Sequence, residues 1–564
     1  MIEVLATNIT SPLGRTTEEN YRAVWSGRSA LRCYENWRDI PVRFGASMLS
    51  DEQMAELAIE GFTKFESLAI RSIEEALSHC EADPTSPRTI FILSTTKANI
   101  DELRCDTAEC YSTPGEAAKK IARHFGMTNE PIVVCNACIS GVTAQLLADS
   151  LITTGEYDTA VVCGADVVSP FVVAGFHSFK SLSPEACRPF DIERLGLNLG
   201  EAASTIIFGQ MENTSTSKWR LMRGYLNNDA YHVSAPSPVG EGTVTAISKV
   251  MTGEEKDSLG VVCVHGTATM FNDQMESKAI ERGGLSEIPI CAIKGYYGHT
   301  LGAAGVLETV LTMRASDEGV VLAVRGFDEI GVSGKINISN QERSCTTDRF
   351  LKIISGFGGC NGVLLYSKEE VARNTTEVAH QIKCTHTIRI TPNEVVLDDK
   401  PLMCTTTGGE LLKELYKTHI GDYPKFYKMD TFSRLALIAT DLLVGCETMD
   451  ERAVEHDLIL FNRSSSIVAD RNHLATISDT DNFYPSPSVF LYTLPNIATG
   501  EIAIKHSFKG ETSLYILEHK SEPTMKQITT ATMQRSDNPT LITGWIDCES
   551  ENQFEAEIKI LTKQ

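Results

Sequence analysis

The feature that most constrains this chain is a short apolar run that ends in a thiol and reopens as a helix. Residues 132–134 predict a buried strand, and small residues follow it up to Cys138. A Ser-Gly turn then opens a predicted amphipathic helix over residues 143–151. A sulfur at a helix N-terminus faces unpaired N–H groups and the helix dipole, so we expect a lowered thiol pKa. The sequence therefore predicts a nucleophile at Cys138.

Three later segments carry groups that can act with this thiol. A β-like run over residues 261–264 delivers His265 into a Gly-Thr loop, and residues 292–298 deliver His299 ahead of a helix of small residues. Residues 354–362 form a glycine-rich turn between two strand-like runs. Taken singly, a buried cysteine is usually a small hydrophobe, a strand-end histidine a core residue, and such a turn only a turn. All four segments together, in this order, favour a catalytic site.

The composition excludes several classes of function. The chain has 564 residues, 42% hydrophobic and 22% charged, which is typical of a soluble globular protein with two or more cores. A net charge of −23 disfavours binding to nucleic acid, which needs fields of Lys and Arg. We expect no membrane span, because no apolar run reaches the roughly 18–20 residues required. Residues 1–6 lack a basic segment and predict a first strand, not a signal peptide.

Cysteine usage predicts a reduced, cytoplasmic protein. The 16 cysteines are scattered, and many lie inside apolar strands. Cys135 and Cys138 form a C-x-x-C pair, but a zinc site needs a second ligand pair at a related spacing, and none is evident. A thioredoxin-like redox site would leave the two His-Gly loops unexplained.

Apolar strand-like runs alternate with helical segments along the first two thirds of the chain. We predict strands at residues 88–93, 132–134, 159–163, 204–208, 260–264 and 351–354. This alternation predicts an α/β fold in which helices cover a sheet.

The combined motifs of residues 1–368 resemble those of the elongating β-ketoacyl-[acyl-carrier-protein] synthases, the decarboxylating condensing enzymes of the thiolase fold. Besides the four segments above, the matching motifs are residues 9–14, 26–29, 164–166, 188–191, Arg194, Gly196 and 200–203. The resemblance implies a thiolase-like layered α-β-α-β-α fold and a ketosynthase domain over residues 1–368.

The resemblance also implies a role for each residue at a matching position. Cys138 would accept the acyl group, while His265 and His299 would face the malonyl thioester. The other implied members are Lys294 in support of the histidines, Glu308 in the same buried polar network, Thr267 and Thr269 as partners of the phosphopantetheine arm, and Phe357 as acyl gate and oxyanion N–H donor. Ile139 stands where a small residue is common in the family, so we expect it to narrow the acyl pocket.

The implied reaction is a decarboxylative Claisen condensation. A thiolate would take the acyl group from a thioester, and two neutral imidazoles would stabilise the enolate formed from malonyl thioester. Loss of CO₂ drives carbon–carbon bond formation, so the resemblance implies no metal and no cofactor of the chain's own. The implied partners are acyl and malonyl thioesters on an acyl carrier protein, which carries the phosphopantetheine. The product would be a 3-oxoacyl-carrier protein of fatty-acid, polyene or polyketide-type lipid synthesis.

An acidic carrier protein requires a local basic patch on this acidic chain. The candidates are Lys64, Arg71, Lys119, Lys120 and Arg123, of which the last three are also typical of the solvated face of a helix.

The third catalytic position separates this chain from related enzymes. Degradative thiolases carry a second cysteine there, and initiating synthases that prefer CoA primers carry an asparagine, whereas this chain has His299. One alternative of a different class stays open. The chain could be a non-elongating, chain-length-determining or scaffold partner of another ketosynthase, with Cys138 vestigial.

The remaining third of the chain predicts a linker and a second domain. Residues 369–379 are polar, and residues 380–564 are too few for a second synthase. Segments 457–466, 500–508 and 539–547 are similar to segments 88–96, 116–125 and 158–166. Residues 380–564 therefore resemble the N-terminal half of a ketosynthase, although an unrelated α/β module stays open.

The second domain is predicted to be non-catalytic. Residues 517–521, which stand where Cys138 would fall, contain no thiol and no glycine elbow. Thiolase-fold enzymes pair edge strand to edge strand, so we expect a homodimer or a pseudo-dimer. In the pseudo-dimer this half-domain would dock on a synthase domain and bias chain length or carrier choice.

Overall fold

The structure, a computed structural model, describes residues 2–104, 112–210, 218–251, 253–345, 347–369, 381–446, 456–479 and 483–564. Its strands are β1 (Ile2–Thr10), β2 (Leu31–Tyr34), β3 (Phe44–Ser47), β4 (Thr89–Ser94), β5 (Ile132–Val134), β6 (Thr159–Asp166), β7 (Leu199–Gly200), β8 (Ala202–Gln210), β9 (Arg220–Asn228), β10 (Val261–Cys263), β11 (Ile290–Cys291), β12 (Val320–Val321), β13 (Arg343–Ser344), β14 (Arg349–Gly356), β15 (Cys360–Ser367), β16 (Ile382–Thr391), β17 (Glu394–Leu397), β18 (Lys400–Leu402), β19 (His456–Asn462), β20 (Thr512–Ile516), β21 (Thr540–Ser550) and β22 (Gln553–Lys563).

The helices are α1 (Thr17–Trp25), α2 (Asp51–Leu57), α3 (Lys64–Leu77), α4 (Pro114–His124), α5 (Ser140–Thr153), α6 (Pro170–Ser178), α7 (Glu241–Val250), α8 (Met270–Arg282), α9 (Lys294–Tyr297), α10 (Ala304–Asp317), α11 (Gly408–Leu415), α12 (Thr431–Val444), α13 (Ile467–Ala475), α14 (Pro487–Leu491), α15 (Ile497–His506) and α16 (Glu522–Arg535). The six predicted strands coincide with β4, β5, β6, β8, β10 and β14. Among the described helices, none is long and apolar enough to cross a bilayer.

Three sheets of the molecule share one strand order. The first runs β1-β8-β6-β4-β5, the second β9-β15-β14-β10-β11 and the third β16-β22-β21-β19-β20. In each, the first two pairings are antiparallel and the last two parallel. Helices lie between and outside these sheets, which is the layered α/β arrangement expected from the alternating sequence pattern.

The third sheet joins the first edge to edge. Strand β20 pairs antiparallel with β5, with Tyr515 opposite Val134 and Ile516 opposite Val133. The N–H of Cys135 continues this pairing by donating to the Leu514 carbonyl over 3.1 Å. The edge of the first sheet beside Cys138 is therefore covered by the chain's own C-terminal part. Residues 370–379 of the predicted linker lie outside the described residues.

Two central helices bring the predicted site together. Helix α5 follows Cys138 and helix α10 follows the His299 loop, and both lie in the layer between the first two sheets. They touch backbone to backbone, since a Cβ on Gly141 would lie 2.8 Å from the Val306 nitrogen. The predicted amphipathic helix over residues 143–151 is corrected in two ways. It begins earlier, at Ser140, and nearly all its residues are buried because both of its faces contact protein.

Candidate functional site

Cys138 lies in a single 3₁₀ turn between β5 and α5. The preceding residue, Ala137, has φ +46°, a left-handed conformation that costs about 1–3 kcal/mol for a residue other than glycine. This sharp elbow presents the sulfur at the start of α5. The backbone N–H groups of Phe357 and Cys138 lie near the sulfur and favour its charged form, so they are the two donors available to an acyl oxyanion formed there.

The two predicted histidines lie beside the Cys138 sulfur. Nε2 of His299 lies 3.0 Å from the Cys138 Sγ, and the rings of His265 and His299 are nearly perpendicular with centroids 5.1 Å apart. The Cys138 sulfur and one ring nitrogen from each histidine all lie within 4.8 Å of one another. The sequence-predicted triad is therefore a single cluster in the structure.

Hydrogen bonds fix which nitrogen of each imidazole carries the proton. Nδ1 of His299 accepts the N–H of Leu301 over 3.1 Å, so its proton belongs on Nε2. Nδ1 of His265 lies 3.0 Å from Nζ of Lys294, a group that can only donate, so its proton also belongs on Nε2. Two neutral imidazoles in these tautomers point N–H donors into the site.

A buried ion cluster supports His265 from behind. Lys294 Nζ donates to Glu308 over 2.5 Å and to the His265 carbonyl over 2.7 Å. The other Glu308 oxygen accepts Lys352 Nζ at 2.5 Å. Burial lowers the pKa of Lys352, but nearby negative charge, including that of Glu308, outweighs it and raises this pKa. Two ammonium groups therefore share one carboxylate next to the histidines. Lys352 was not predicted from sequence, although a lysine inside the apolar run 350–354 was a usable signal.

The electrostatics of the thiol differ from the sequence expectation. Burial raises the pKa of Cys138 to about 11, against the partial compensation of Lys294 and the backbone N–H groups of Phe357 and Cys138. The predicted lowering is therefore corrected, because desolvation of the thiolate outweighs the helix N-terminus. Burial and the charge of Lys294 also lower the pKa of His265 and of His299 well below 6.5. At neutral pH the resting site holds a thiol and two uncharged imidazoles.

Acidic side chains of α8 hold the His265 loop. Glu276 accepts the N–H of His265 over 2.6 Å and that of Gly266 over 2.8 Å. Asp273 accepts the N–H of Thr267 over 3.0 Å. The hydroxyls of Thr267 and Thr269 lie 2.8 Å apart on the same loop, so the two predicted arm-binding residues are brought together.

The Phe357 turn closes the other side of the sulfur. Gly358 and Gly359 have φ of +94° and +75°, so only glycine fits this turn without strain. The Phe357 ring packs against Phe176 and Phe179, with centroids 6.1 and 5.4 Å away. This placement suits a gate between the cavity and its apolar surroundings.

The cavity beside Cys138 receives residues from both parts of the chain. It has an empty volume of about 330 Å³, including its opening, and its lining residues are Thr96, Lys97, Ala137, Cys138, Val172, Phe176, Leu301, Phe357, Phe490 and Leu494. The last two lie in the C-terminal part. Ile139 does not line this cavity. It is buried in the core, and its Cγ2 would lie 3.4 Å from a Cβ on Gly356.

A buried ion pair crosses from the cavity wall to the C-terminal part. Nζ of Lys97 lies 2.5 Å from Asp470 of α13, with side-chain exposures of 4% and 0%. It also donates to Ser466 over 3.1 Å and to the Thr493 carbonyl. Sequence reasoning missed Lys97, Asp470, Phe490 and Leu494, because their contacts join segments more than 300 residues apart.

Comparisons with known proteins agree on residues 1–328. Residues 1–213 match the family model for the N-terminal domain of beta-ketoacyl synthase, and residues 221–328 match that for its C-terminal domain. A putative mitochondrial 3-oxoacyl-[acyl-carrier-protein] synthase of Schizosaccharomyces pombe is 25% identical over 411 residues, which cover 64% of this chain and 96% of the relative. The 3-oxoacyl-[acyl-carrier-protein] synthase 2 of Vibrio cholerae is 25% identical over 409 residues, with 65% and 99% coverage.

Some solved structures resemble about two thirds of the chain, and one resembles its whole length. A beta-ketoacyl synthase from Burkholderia phymatum has a TM-score of 0.59 and 22% identity, covering 65% of this chain and 99% of its own. A structure titled PfaC keto synthase-chain length factor has a TM-score of 0.78 and 14% identity, and covers all of this chain and 78% of its own. At these identities the likeness shows the fold, and it confirms the predicted fold class.

Proposed function

This chain belongs to the β-ketoacyl synthase family and is a 3-oxoacyl-[acyl-carrier-protein] synthase, and on that premise we propose that Cys138 carries the acyl group that is condensed with malonyl-acyl carrier protein. One observation carries the proposal. The Cys138 sulfur faces two backbone N–H donors and lies 3.0 Å from a histidine nitrogen that bears a proton.

The first half-reaction is acyl transfer to Cys138. Its sulfur attacks the carbonyl of an acyl thioester, and the N–H groups of Cys138 and Phe357 hold the oxyanion. Collapse of this intermediate forms the new thioester and expels the pantetheine thiolate, which takes up the proton that Cys138 gives up. The thiol starts protonated because its pKa is about 11, so the transient charge depends on these N–H groups and on α5.

The second half-reaction generates the carbon nucleophile. The thioester oxygen of a malonyl group accepts Nε2–H bonds from His265 and His299 while the carboxylate leaves as CO₂. Both imidazoles must be neutral donors whose help grows as enolate charge develops, and the lowered histidine pKa values meet this need. The enolate carbon then attacks the acyl-Cys138 carbonyl and the C–S bond to Cys138 breaks. The 3-oxoacyl product leaves on its carrier, and the Cys138 thiolate takes up a proton from the solvent, which balances the one that left on pantetheine.

The proposed partner is an acyl carrier protein, whose phosphopantetheine arm would pass Thr267 and Thr269. The chain itself would need no cofactor. Four of the five predicted basic-patch residues already have acidic partners: Lys64 with Glu201, Arg71 with Glu74, Lys119 with Glu518 and Lys120 with Glu66. Arg123 is exposed and has no ion pair among the described residues. A carrier docking on this face would therefore compete with intramolecular ion pairs.

Self-acylation followed by condensation tests the proposal. The full chain is incubated with an acyl-carrier protein, and the peptide containing Cys138 is weighed by mass spectrometry before and after malonyl-carrier protein is added. We expect stoichiometric acylation and then a 3-oxoacyl-carrier product, with neither formed by the Cys138→Ala variant. A folded chain that never acquires the acyl mass would support the alternative, in which the chain is a scaffold or chain-length-determining partner.

We further propose that the C-terminal part acts as a pseudo-dimer partner within the same chain and limits the acyl chain. The edge pairing of β20 with β5 and the Phe490 and Leu494 side chains in the cavity support this proposal. The Phe490 ring is buried against Gly175, where a Cβ would lie 2.1 Å from it. Phe490→Ala should therefore shift products to longer chains in an assay with purified carrier protein, whereas an unchanged product length would argue against the limit.

A further inference from the structure

Asn496 holds a helix N-cap position without capping its helix. It immediately precedes α15, and asparagine is among the residues that most favour this position because its side chain can accept N–H groups of the first turn. Its side chain accepts none of them, although it is buried. Its Oδ1 has no hydrogen-bond partner among the described residues, an omission that typically costs about 1–3 kcal/mol. The hydrogen bond that this amide does make is therefore to a residue outside its own helix.

The amide instead reaches the turn that faces the nucleophile. Nδ2 of Asn496 donates to the Phe357 carbonyl over 2.8 Å, across 139 positions of sequence. The N–H of Phe357 is one of the two backbone groups that favour the charged form of the Cys138 sulfur. The Asn496 amide cannot be turned round to place Oδ1 here, because Oδ1 and the Phe357 carbonyl oxygen are both hydrogen-bond acceptors. A bond to the carbonyl of Phe357 fixes the same residue that supplies the oxyanion donor.

The start of α15 packs closely against this turn at two points. A Cβ on Gly358 would lie 2.7 Å from Nδ2 of Asn496, and a Cβ on Gly500 would lie 2.6 Å from the Gly358 carbonyl oxygen. On the opposite side, Asn228 donates to the Gly358 carbonyl over 2.8 Å and to Thr512 of β20 over 2.9 Å. The turn is therefore held between two buried asparagines, and one of them belongs to the C-terminal part.

We infer that Asn496 is a positioning residue for the oxyanion hole, by which the non-catalytic C-terminal part completes the catalytic centre of the ketosynthase part. This inference rests on the proposed function. It assigns Asn496 to acyl transfer and to the condensation step, where the oxyanion at the acyl carbonyl needs the Phe357 N–H. Decarboxylation of malonyl thioester relies on His265 and His299 and does not need it.

The test measures acylation of Cys138 and decarboxylation of malonyl-carrier protein separately in two variants. Asn496→Ala removes the amide, and Asn496→Asp keeps the size of the side chain but removes the N–H donor. Acylation of Cys138 should slow about 10- to 100-fold in both variants, because small misplacements of catalytic groups have effects of this size. Release of CO₂ from malonyl-carrier protein should stay within about twofold of the parent protein. Equal losses in both half-reactions would overturn the inference, since they indicate a general disturbance.

Asp537→Asn is the matched control, because it weakens another contact between the two parts, the exposed ion pair between Asp537 and Lys249. It should leave acylation unchanged, and slowing as large as in Asn496→Ala would contradict a specific role for Asn496.

Hydrogen exchange provides a readout that does not require activity. Exchange of the peptide containing residues 356–360 should be faster in Asn496→Ala than in the parent, while the peptide containing residues 265–269 is unchanged. Unchanged exchange at the turn would overturn the inference even in an active protein. If the parent protein itself never acquires an acyl group, the proposed function fails, whereas the exchange result still decides whether Asn496 anchors the turn.

Discussion

At the scale of single residues, the site is governed by the exclusion of water from one thiol and two imidazoles. Cys138 lies at a helix start, a position that favours a thiolate, yet its surroundings disfavour the charged form more strongly. The histidines experience the same exclusion and a neighbouring ammonium group, so both effects keep them uncharged. All three groups therefore rest in their neutral forms at neutral pH.

The reactivity of Cys138 towards an alkylating agent should rise steeply with pH. Only the thiolate reacts, and its fraction grows about tenfold per pH unit below the pKa. Because the pKa is about 11, the rate of iodoacetamide labelling at Cys138 should climb throughout the range of about pH 7–10. Peptide mass spectrometry measures this rate, with Cys138→Ala as the blank. A plateau near neutral pH would contradict the raised pKa.

Malonyl decarboxylation should be insensitive to mild acid. The imidazole pKa values lie well below 6.5, so lowering the pH from about 8 to about 6.5 leaves His265 and His299 neutral. We expect the rate of CO₂ release to change less than about twofold over this range. A fall with a midpoint near the ordinary histidine pKa would show that one of the imidazoles is protonated there. His299→Ala provides the background rate.

At the scale of elements, two central helices and one repeated strand order determine the site. Five residues, 135–139, connect β5 to α5, and five residues, 517–521, connect β20 to α16. Lys520 is therefore the fourth residue of its connection, as Cys138 is of the other, and its ammonium group pairs with Glu557.

The two parts also share an aspartate that holds a neighbouring loop. Asp166 accepts the N–H and hydroxyl of Thr96, and Asp547 accepts those of Ser464.

These elements show what the sequence can and cannot reveal. Strands such as β5 and motifs such as the His299 loop were predictable because local apolar runs and adjacent turn residues mark them. The all-round burial of α5 was not, since it depends on α10 lying against it. The raised thiol pKa and the contributions of Phe490 and Asn496 depend on contacts between distant segments, for which the chain carries no local pattern.

A methyl group at the crossing of α5 and α10 should disturb both stability and catalysis. In Gly305→Ala the new Cβ would lie 2.7 Å from the Val142 nitrogen, so the helices must separate. Overpacking of this kind costs about 1–3 kcal/mol, which urea denaturation measures. Acylation should slow as well, because the helices carry Cys138 and His299. The control is Gly409→Ala, where the nearest atom lies at 3.6 Å and no loss is expected. A Gly305→Ala variant as stable as the parent would contradict the close crossing.

At the scale of the whole molecule, the two parts share structure that separate domains would not. The first and third sheets are continuous through β5 and β20, and one hydrophobic cluster contains residues of α5, α10 and α16. The wall of the Cys138 cavity also includes Phe490 and Leu494 of the C-terminal part, and its Lys97 forms an ion pair with Asp470 of that part. The ketosynthase part and the C-terminal part are therefore expected to unfold in one transition.

The buried Lys97–Asp470 pair allows this coupling to be measured. Asp470→Leu leaves an ammonium group without its carboxylate in a dry interface, and Lys97→Met leaves the carboxylate without its ammonium group. Breaking such a pair from one side typically costs about 3–5 kcal/mol, whereas replacing both partners by apolar residues is often neutral. We therefore expect each single variant to lower the free energy of unfolding by about that amount and the double variant to regain most of it.

Urea denaturation followed by circular dichroism and by tryptophan fluorescence gives these free energies, and the two signals should change over the same range of urea concentration. Because the described tryptophans Trp25, Trp37 and Trp219 lie before residue 369 and Trp545 lies after it, a single variant that split the curve into two steps would show that the parts unfold independently.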